Sequence, residues 1–161
     1  MELSPGTMVN DHVRLVELLG TGGMGSVWLA EHLALEARVA VKFIAPALVQ
    51  ADASLAERFK REASICARIR SVHVVQTFDQ GVMEDGRPYI VMELLEGCTL
   101  TDLIESRGPL GLRAVGMVVA QVAKVLHRAH VLGIVHRDIK PDNIIVTDSD
   151  YELFLKVLDF G

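Results

Sequence analysis

The residues able to do chemistry are concentrated in His136-Arg137-Asp138-Ile139-Lys140-Pro141-Asp142-Asn143 and in the last three positions, Asp159-Phe160-Gly161. The first run sets an acid, a cation and an amide close together, just after a long apolar helical pattern. The second adds an acid past a β-like run. Phosphoryl transfer from a nucleotide uses such a set: a carboxylate to orient a hydroxyl and accept its proton, a cation near the transferring phosphate, and an Asp with an Asn for Mg²⁺. His-Arg-Asp alone would be a weak signal, because three common residues recur by chance. The whole octet with Asp-Phe-Gly behind it is a strong one.

Such groups need elements that bring phosphates to them. Residues 13–19 and 27–32 read as β-prone runs, with Gly20-Thr21-Gly22-Gly23-Met24-Gly25 between them. The spacing of Gly20, Gly22 and Gly25 is ambiguous by itself. In a dinucleotide-binding fold it would open a helix, but Ser26-Val27-Trp28-Leu29-Ala30 is β-prone and offers no helix start. A strand–turn–strand results, either a plain glycine hairpin or a bare backbone lying over phosphates. Val39-Ala40-Val41-Lys42 favours phosphates, since a lysine in an apolar strand is costly to bury unless it meets anions.

Residues 54–70 form a helix candidate, with Asp52 or Ser54 as N-cap and Glu57 at capping-box distance from Ser54. Its apolar positions Leu55, Phe59, Cys66 and Ile69 recur at helical spacing. Glu62 lies three residues after Phe59 and four before Cys66, in the middle of that stripe. A carboxylate facing the core needs a cation, and Lys42 is the obvious one. The remaining charges, Glu57, Arg58, Lys60, Arg61, Arg68 and Arg70, read as a solvated face.

Residues 74–78 and 89–94 read as strands around a turn at 84–88. A short helix is expected over 99–107, capped by Thr99 with Asp102 at N3. A longer one is expected over 112–132, with a stripe of Val115, Val119, Val122, Leu126 and Ala129 widened by Val118, Val125 and Leu132. His127 and His130 fall off that stripe and read as surface residues rather than ligands. Residues 144–146 and 153–158 read as short strands flanking a polar turn at 147–150.

Composition narrows the field. The chain has 161 residues, half of them hydrophobic, enough for a packed core. A formal charge of −5 argues against general nucleic-acid or anionic-membrane binding. Cys66 and Cys98 are the only cysteines, no disulfide framework, and fit a reducing cytosol. Residues 1–10 lack a signal peptide's basic start and apolar run. The long apolar region 115–135 is broken by Gln121, Lys124, His127, Arg128 and His130, so no membrane span is expected in this chain. A cytoplasmic location follows, with any membrane anchor lying past Gly161.

Taken together, the motifs resemble a bacterial protein kinase of the eukaryotic-like Ser/Thr type, from Val13 to Gly161. The resemblance implies an α+β fold: a five-stranded antiparallel N-lobe with one helix (that family's αC), then the opening of a mainly helical C-lobe. Residues 1–12 would be an extension, 13–93 the N-lobe, and 94–161 the hinge and partial C-lobe ending at Asp-Phe-Gly. Gly20, Thr21, Gly22, Gly23, Met24 and Gly25 would cover the phosphates of ATP. Lys42, held by Glu62, would bind them. Val27, Ala40 and Ile145 would line the nucleotide site, Met92 would be its gatekeeper, and the backbone of Glu93 and Leu95 would meet the adenine edge. For that last stretch an ordinary core strand and turn is the alternative. Asp138 would be the catalytic base, Lys140 would steady the γ-phosphate, and Asn143 with Asp159 would hold Mg²⁺ or Mn²⁺.

Lysine two places after the base resembles Ser/Thr-specific kinases, so the implied partner is a protein bearing Ser or Thr hydroxyls. Arg137 before Asp138 resembles kinases switched on by activation-loop phosphorylation. The sequence also departs from the family. Ser71-Val72-His73-Val74-Val75 replaces the usual His-Pro-Asn-Ile-Val. Thr77 falls where the family stacks an apolar residue, beside Cys66, His136 and Phe160. The activation segment, its Ala-Pro-Glu motif and the helices that support the catalytic loop are not in the chain. Two functions therefore stand: a Ser/Thr kinase present as its N-terminal portion, or a non-catalytic nucleotide-binding or interaction fragment. The second would self-associate through exposed C-lobe surface. Cys98, after Gly97, is either an inert packing residue or an accessible thiol at the lip of the adenine pocket.

Overall fold

Along residues 37–44, Val39, Val41 and Phe43 alternate with Ala40, Lys42 and Ile44, and a strand's period of two sends the two sets to opposite faces. The computed structural model describes residues 2–23, 25–52, 54–149 and 152–160. It places this stretch at the centre of an antiparallel five-stranded sheet. The strands are β1 (Val13–Gly22), β2 (Gly25–His32), β3 (Ala37–Ile44), β4 (Thr77–Val82) and β5 (Pro88–Glu93), in the order β1-β2-β3-β5-β4. Both faces are covered. Val39, Val41 and Phe43 pack with Leu15, Trp28 and Tyr89 on one side. Ile44 and Ile90 pack on the other against Phe59 and Ala63 of α2 (Ser54–Arg68).

This sheet belongs to the first of two units, Met1–Ser64 with Gln76–Leu94. Its N-terminal residues are tied down. Gly6 N–H donates to Leu15 O (2.8 Å), Leu15 N–H to Thr7 O (2.9 Å), and Val9 is buried in the core. Trp28, the only tryptophan, is 7% exposed, and its indole N–H donates to Ser26 Oγ at 3.1 Å. A short helix that sequence reading did not anticipate, α1 (Pro46–Ala51), opens on a proline, whose fixed φ suits a first helical turn. Asp52 Oδ1 accepts the Ser54 N–H (2.9 Å) at the start of α2, which ends at Arg68 rather than residue 70.

The glycines do not merely separate two strands. β1 runs through them to Gly22, which pairs with Gly25, with two register irregularities on the way. The sequence pattern predicts the fourth strand over 74–78, and it lies at Thr77–Val82 instead. Val74 and Val75 are apolar for another reason: both are buried in the second unit, where Val75 N–H donates to Val157 O (3.3 Å).

That second unit comprises Ile65–Val75 and Leu95–Gly161. A three-stranded sheet, β6 (Gly97–Thr99), β7 (Ile144–Ser149) and β8 (Glu152–Val157), stands with α3 (Leu100–Arg107) and α4 (Leu112–Val131). α3 begins with the anticipated capping box: Thr99 Oγ1 accepts from Asp102 N–H (3.0 Å), and Asp102 Oδ2 accepts from Thr99 N–H (3.1 Å). β7 and β8 remain paired as far as Ser149 and Glu152, so Thr147 and Asp148 belong to a strand rather than a polar turn. Residue 150 lies outside the described residues.

α4 corrects one expectation. Its buried line runs through Val118, Val122, Val125 and Ala129, with Val118 and Val122 packed against Leu100, Leu103, Ile144 and Leu155. Val115 and Val119 are exposed, at 43% and 60%. A wide apolar face leaves the helix rotation undecided, and the second sheet chooses it. Among the described residues no helix is long and apolar enough to cross a membrane.

Candidate functional site

Each unit carries its own set of the predicted site residues. In the first, register brings them to one face: Val27 is opposite Lys42, and Ala40 is opposite Met92. Directly opposed residues share a face, so Val27, Ala40, Lys42 and Met92 all line the side covered by α2. Lys42 Nζ donates to Glu62 Oε1 at 3.2 Å, both side chains being 19% exposed, and lies 6.0 Å from the centre of the Phe59 ring. The pairing inferred from helix geometry is present.

The glycine turn separates into two kinds of glycine. A Cβ on Gly20, Gly22 or Gly23 would meet nothing within 4 Å. One on Gly25 would lie 1.9 Å from the Phe43 carbonyl oxygen, and its φ is +154°. Gly25 is thus demanded by the close approach of β2 to β3, while the other three leave bare backbone facing open space. Thr21 is exposed at the end of β1, and Met24 lies outside the described residues.

In the second unit, Asp138, Lys140, Asn143 and Asp159 converge. Lys140 Nζ lies 2.9 Å from Asp138 Oδ2. Asn143, nearly buried, donates from Nδ2 to both Asp138 O and Asp138 Oδ2, each at 2.9 Å. The Lys140 ammonium beside Asp138, and then the Asn143 amide, hold this carboxyl below the usual carboxylate range. Asp138 in turn raises Lys140, with smaller contributions from Asp142 and Asp159. Leu158 N–H donates to Asn143 O (2.9 Å), which fixes Asn143 beside the residue preceding Asp159.

His136, which the family resemblance sets beside Phe160, also organises this loop. It is 1% exposed, accepts Asp138 N–H at Nδ1 (3.3 Å) and donates from Nε2 to Leu158 O (2.8 Å). The first bond requires an acceptor at Nδ1, which leaves the proton on Nε2. Its ring lies 4.5 Å from that of buried Phe160. Arg137 and Asp159 hold φ of 67° and 52°, uncommon for residues with a side chain. Leu95 and Ile145 are half-buried, the latter between Thr99 and Lys156 in the sheet. Glu93, in the first unit, donates its N–H to Gln76 O (2.9 Å). Cys98 is partly buried against the Leu100, Leu103, Ile144 and Leu155 cluster, a packing role.

Lobed sheet, glycine turn, Lys–Glu pair and acid–amide loop define one class of protein. Residues 13–161 match the protein kinase domain family, and the chain belongs to it. Among individual relatives, it is 42% identical over 147 residues to the serine/threonine-protein kinase PknH of Mycobacterium bovis, covering 91% of this chain and 24% of PknH. It is 44% identical over 149 residues to the serine/threonine-protein kinase Pkn1 of Myxococcus xanthus, covering 92% of this chain and 21% of Pkn1. The chain thus spans about a quarter of the length of these curated relatives. Its fold is similar to the Mycobacterium tuberculosis PknI kinase domain, with a TM-score of 0.83 at 32% identity, covering all of this chain and 62% of that one.

Proposed function

We propose that this chain carries the nucleotide-binding and phosphoryl-transfer residues of a Ser/Thr protein kinase acting on protein hydroxyls. Residues 13–93 serve as its N-lobe, 94–161 as hinge and C-lobe portion, and 1–12 as an extension packed on the first unit. The reading rests above all on Asp138, a carboxylate oriented by Asn143 and Lys140 and ionised at neutral pH. Such a group accepts a hydrogen bond from a substrate Ser or Thr hydroxyl and aims its oxygen at the γ-phosphorus of ATP. As the new P–O bond forms, the bond from γ-phosphorus to the bridging oxygen breaks, ADP leaves, and the hydroxyl proton passes to Asp138. A low basicity suits a reaction in which little proton transfer is needed early.

Lys42, steadied by Glu62, binds the nucleotide phosphates. The open backbone at Gly20, Gly22 and Gly23, with the neighbouring Thr21, Met24 and Gly25, covers them. Val27, Ala40, Met92 and Ile145 line the base, whose edge meets the Glu93 and Leu95 backbone. Asn143 fits a hard cation, because its Nδ2 is committed to Asp138 and its Oδ1 is therefore the remaining amide atom. Asn143 and Asp159 would hold Mg²⁺ or Mn²⁺, which neutralises charge on the phosphates when bound. The cytoplasm supplies Mg·ATP and suits two cysteines that form no disulfide.

Phosphate transfer to a generic protein substrate tests this. Asp138→Asn should lower turnover about 100- to 10,000-fold, and unchanged turnover would remove the assignment. A second reading, an interaction module, draws on the exposed Leu112, Val115 and Val119 of α4. It expects concentration-dependent self-association with no Asp138-dependent turnover, which sedimentation beside the same assay would reveal.

A further inference from the structure

β8 is an outer strand of the second sheet, and an outer strand leaves alternate N–H and C=O groups without a neighbouring strand. Those of β8 are met one after another. Gln121, on α4, donates from Nε2 to Leu153 O (2.7 Å) and accepts Leu155 N–H at Oε1 (2.9 Å). His73 Nδ1 contacts Leu155 O (3.1 Å), and its ring lies 4.7 Å from Phe154. Val157 N–H donates to His73 O (2.8 Å), and Val157 O accepts from Val75 N–H (3.3 Å). A primary amide pairs one donor and one acceptor at nearly the spacing of a peptide group. Gln121 therefore stands where a further strand would.

The residue after β8 is Leu158, whose N–H and C=O are bound by Asn143 and His136, and the next is Asp159. The strand is thus pinned along its length at Leu153 and Leu155, at Val157, and at Leu158. We propose that Gln121 is a positioning residue for metal binding: by fixing the register of β8, it sets where Asp159 stands relative to Asn143. This rests on the reading of Asp159 and Asn143 as the metal pair. Gln121 lies three residues after Val118 and four before Val125, on the buried line of α4. A polar residue there needs partners, and the β8 backbone supplies both. The first-unit residues proposed for the phosphates and the base, Lys42, Val27, Ala40 and Met92, lie on the other sheet.

The test uses the full chain and two ATP affinities, one in excess EDTA and one in saturating Mg²⁺. Their ratio reports the metal. Gln121→Met keeps shape and removes both hydrogen bonds. It should reduce that ratio about tenfold, as loss of groups orienting metal ligands commonly does, while the EDTA affinity changes less than about twofold. Gln121→Glu keeps the acceptor for Leu155 N–H but sets a carboxylate oxygen against Leu153 O, and should lower the ratio in the same direction. Amide exchange at Leu155 should quicken in the Met variant and stay slow in the Glu variant. Asp159→Asn should abolish the ratio altogether. A normal ratio in both Gln121 variants beside its loss in Asp159→Asn would overturn the inference alone. Equal weakening in EDTA and in Mg²⁺ would make Gln121 a stability residue and overturn it too. A normal ratio in Asp159→Asn would instead remove the metal assignment, and this inference with it.

Discussion

The two units hold the charges of the candidate site by opposite means. In the first, Lys42 and Glu62 form an ion pair on the covered face of a sheet, four-fifths removed from solvent. In the second, Asp138 and Lys140 are about half exposed, and the acid is oriented by Asn143 and by a backbone bonded to buried His136. Charges shielded from water are interdependent, because removing one strands the other. Charges in water are not, and only their geometry needs protection. The charges of the candidate site are therefore tied to stability in one unit and only weakly coupled to it in the other.

The largest expected effects lie where the units agree. Gly97 repeats the situation of Gly25: its φ is +151°, and a Cβ would lie 2.0 Å from Val146 O. Gly25→Ala and Gly97→Ala should each destabilise by about 3 kcal/mol or more, since neither backbone neighbour can retreat without breaking a strand pair. Urea unfolding measures this, and a loss below about 1 kcal/mol at either site would show that the crossing yields.

Next comes the contrast between the lysines. Lys42→Met should destabilise the chain by about 2 kcal/mol, below the value for a fully buried pair because of partial exposure. It should also weaken ATP binding at least about tenfold. Lys140→Met should leave the melting temperature nearly unchanged and lower turnover only. Equal destabilisation by the two would erase the distinction.

The pH response sharpens it further. Asp138 is depressed, so its contribution is present above the unfolded value of about 3.9 and is lost as pH falls through the lower folded one. Lys140 is raised, so its contribution is complete below about 10.4 and is lost as pH rises through the higher folded one. The loop pair should therefore be intact from about pH 4 to about pH 10. Carboxyl NMR of Asp138 should show titration below the ordinary range, moving upward in Asn143→Ala. An Asp138 transition above pH 4 in the unaltered chain would contradict the geometry.

The smallest effect is expected at Gly20. Gly20→Ala meets no atom within 4 Å and should change stability by less than about 0.5 kcal/mol. Any loss it causes should appear in nucleotide affinity instead, which separates the open glycines from Gly25.

Much of this was legible in the sequence, for identifiable reasons. Glu62 announced its partner because a carboxylate on an apolar stripe has few options, and Thr99 with Asp102 fixed a helix start. The rule that found Glu62 applies equally to Gln121, which reads at first only as an interruption of an apolar run. Val74 and Val75 misplaced β4 because a short apolar run does not say which sheet it serves. Periodicity alone runs the α4 face through Val115 and Val119, because valines on nearly every side leave the rotation undetermined. The glycine pattern gave the turn but hid the division of labour within it, since only a neighbouring backbone distinguishes Gly25 from Gly20. His136 was located by its motif, yet its two hydrogen bonds reach groups that no spacing specifies.

Trp28 gives the chain an unequal optical signature. It is the only tryptophan, it is buried in the core of the first sheet, and its indole is bonded to Ser26, one residue after Gly25. Intrinsic fluorescence excited at the indole band therefore watches the first unit and is nearly blind to the second. A melt followed by emission and the same melt followed by far-UV circular dichroism would coincide if the chain unfolds as one body. Where the curves part, the gap between them is the separate stability of the unit that carries Asp138.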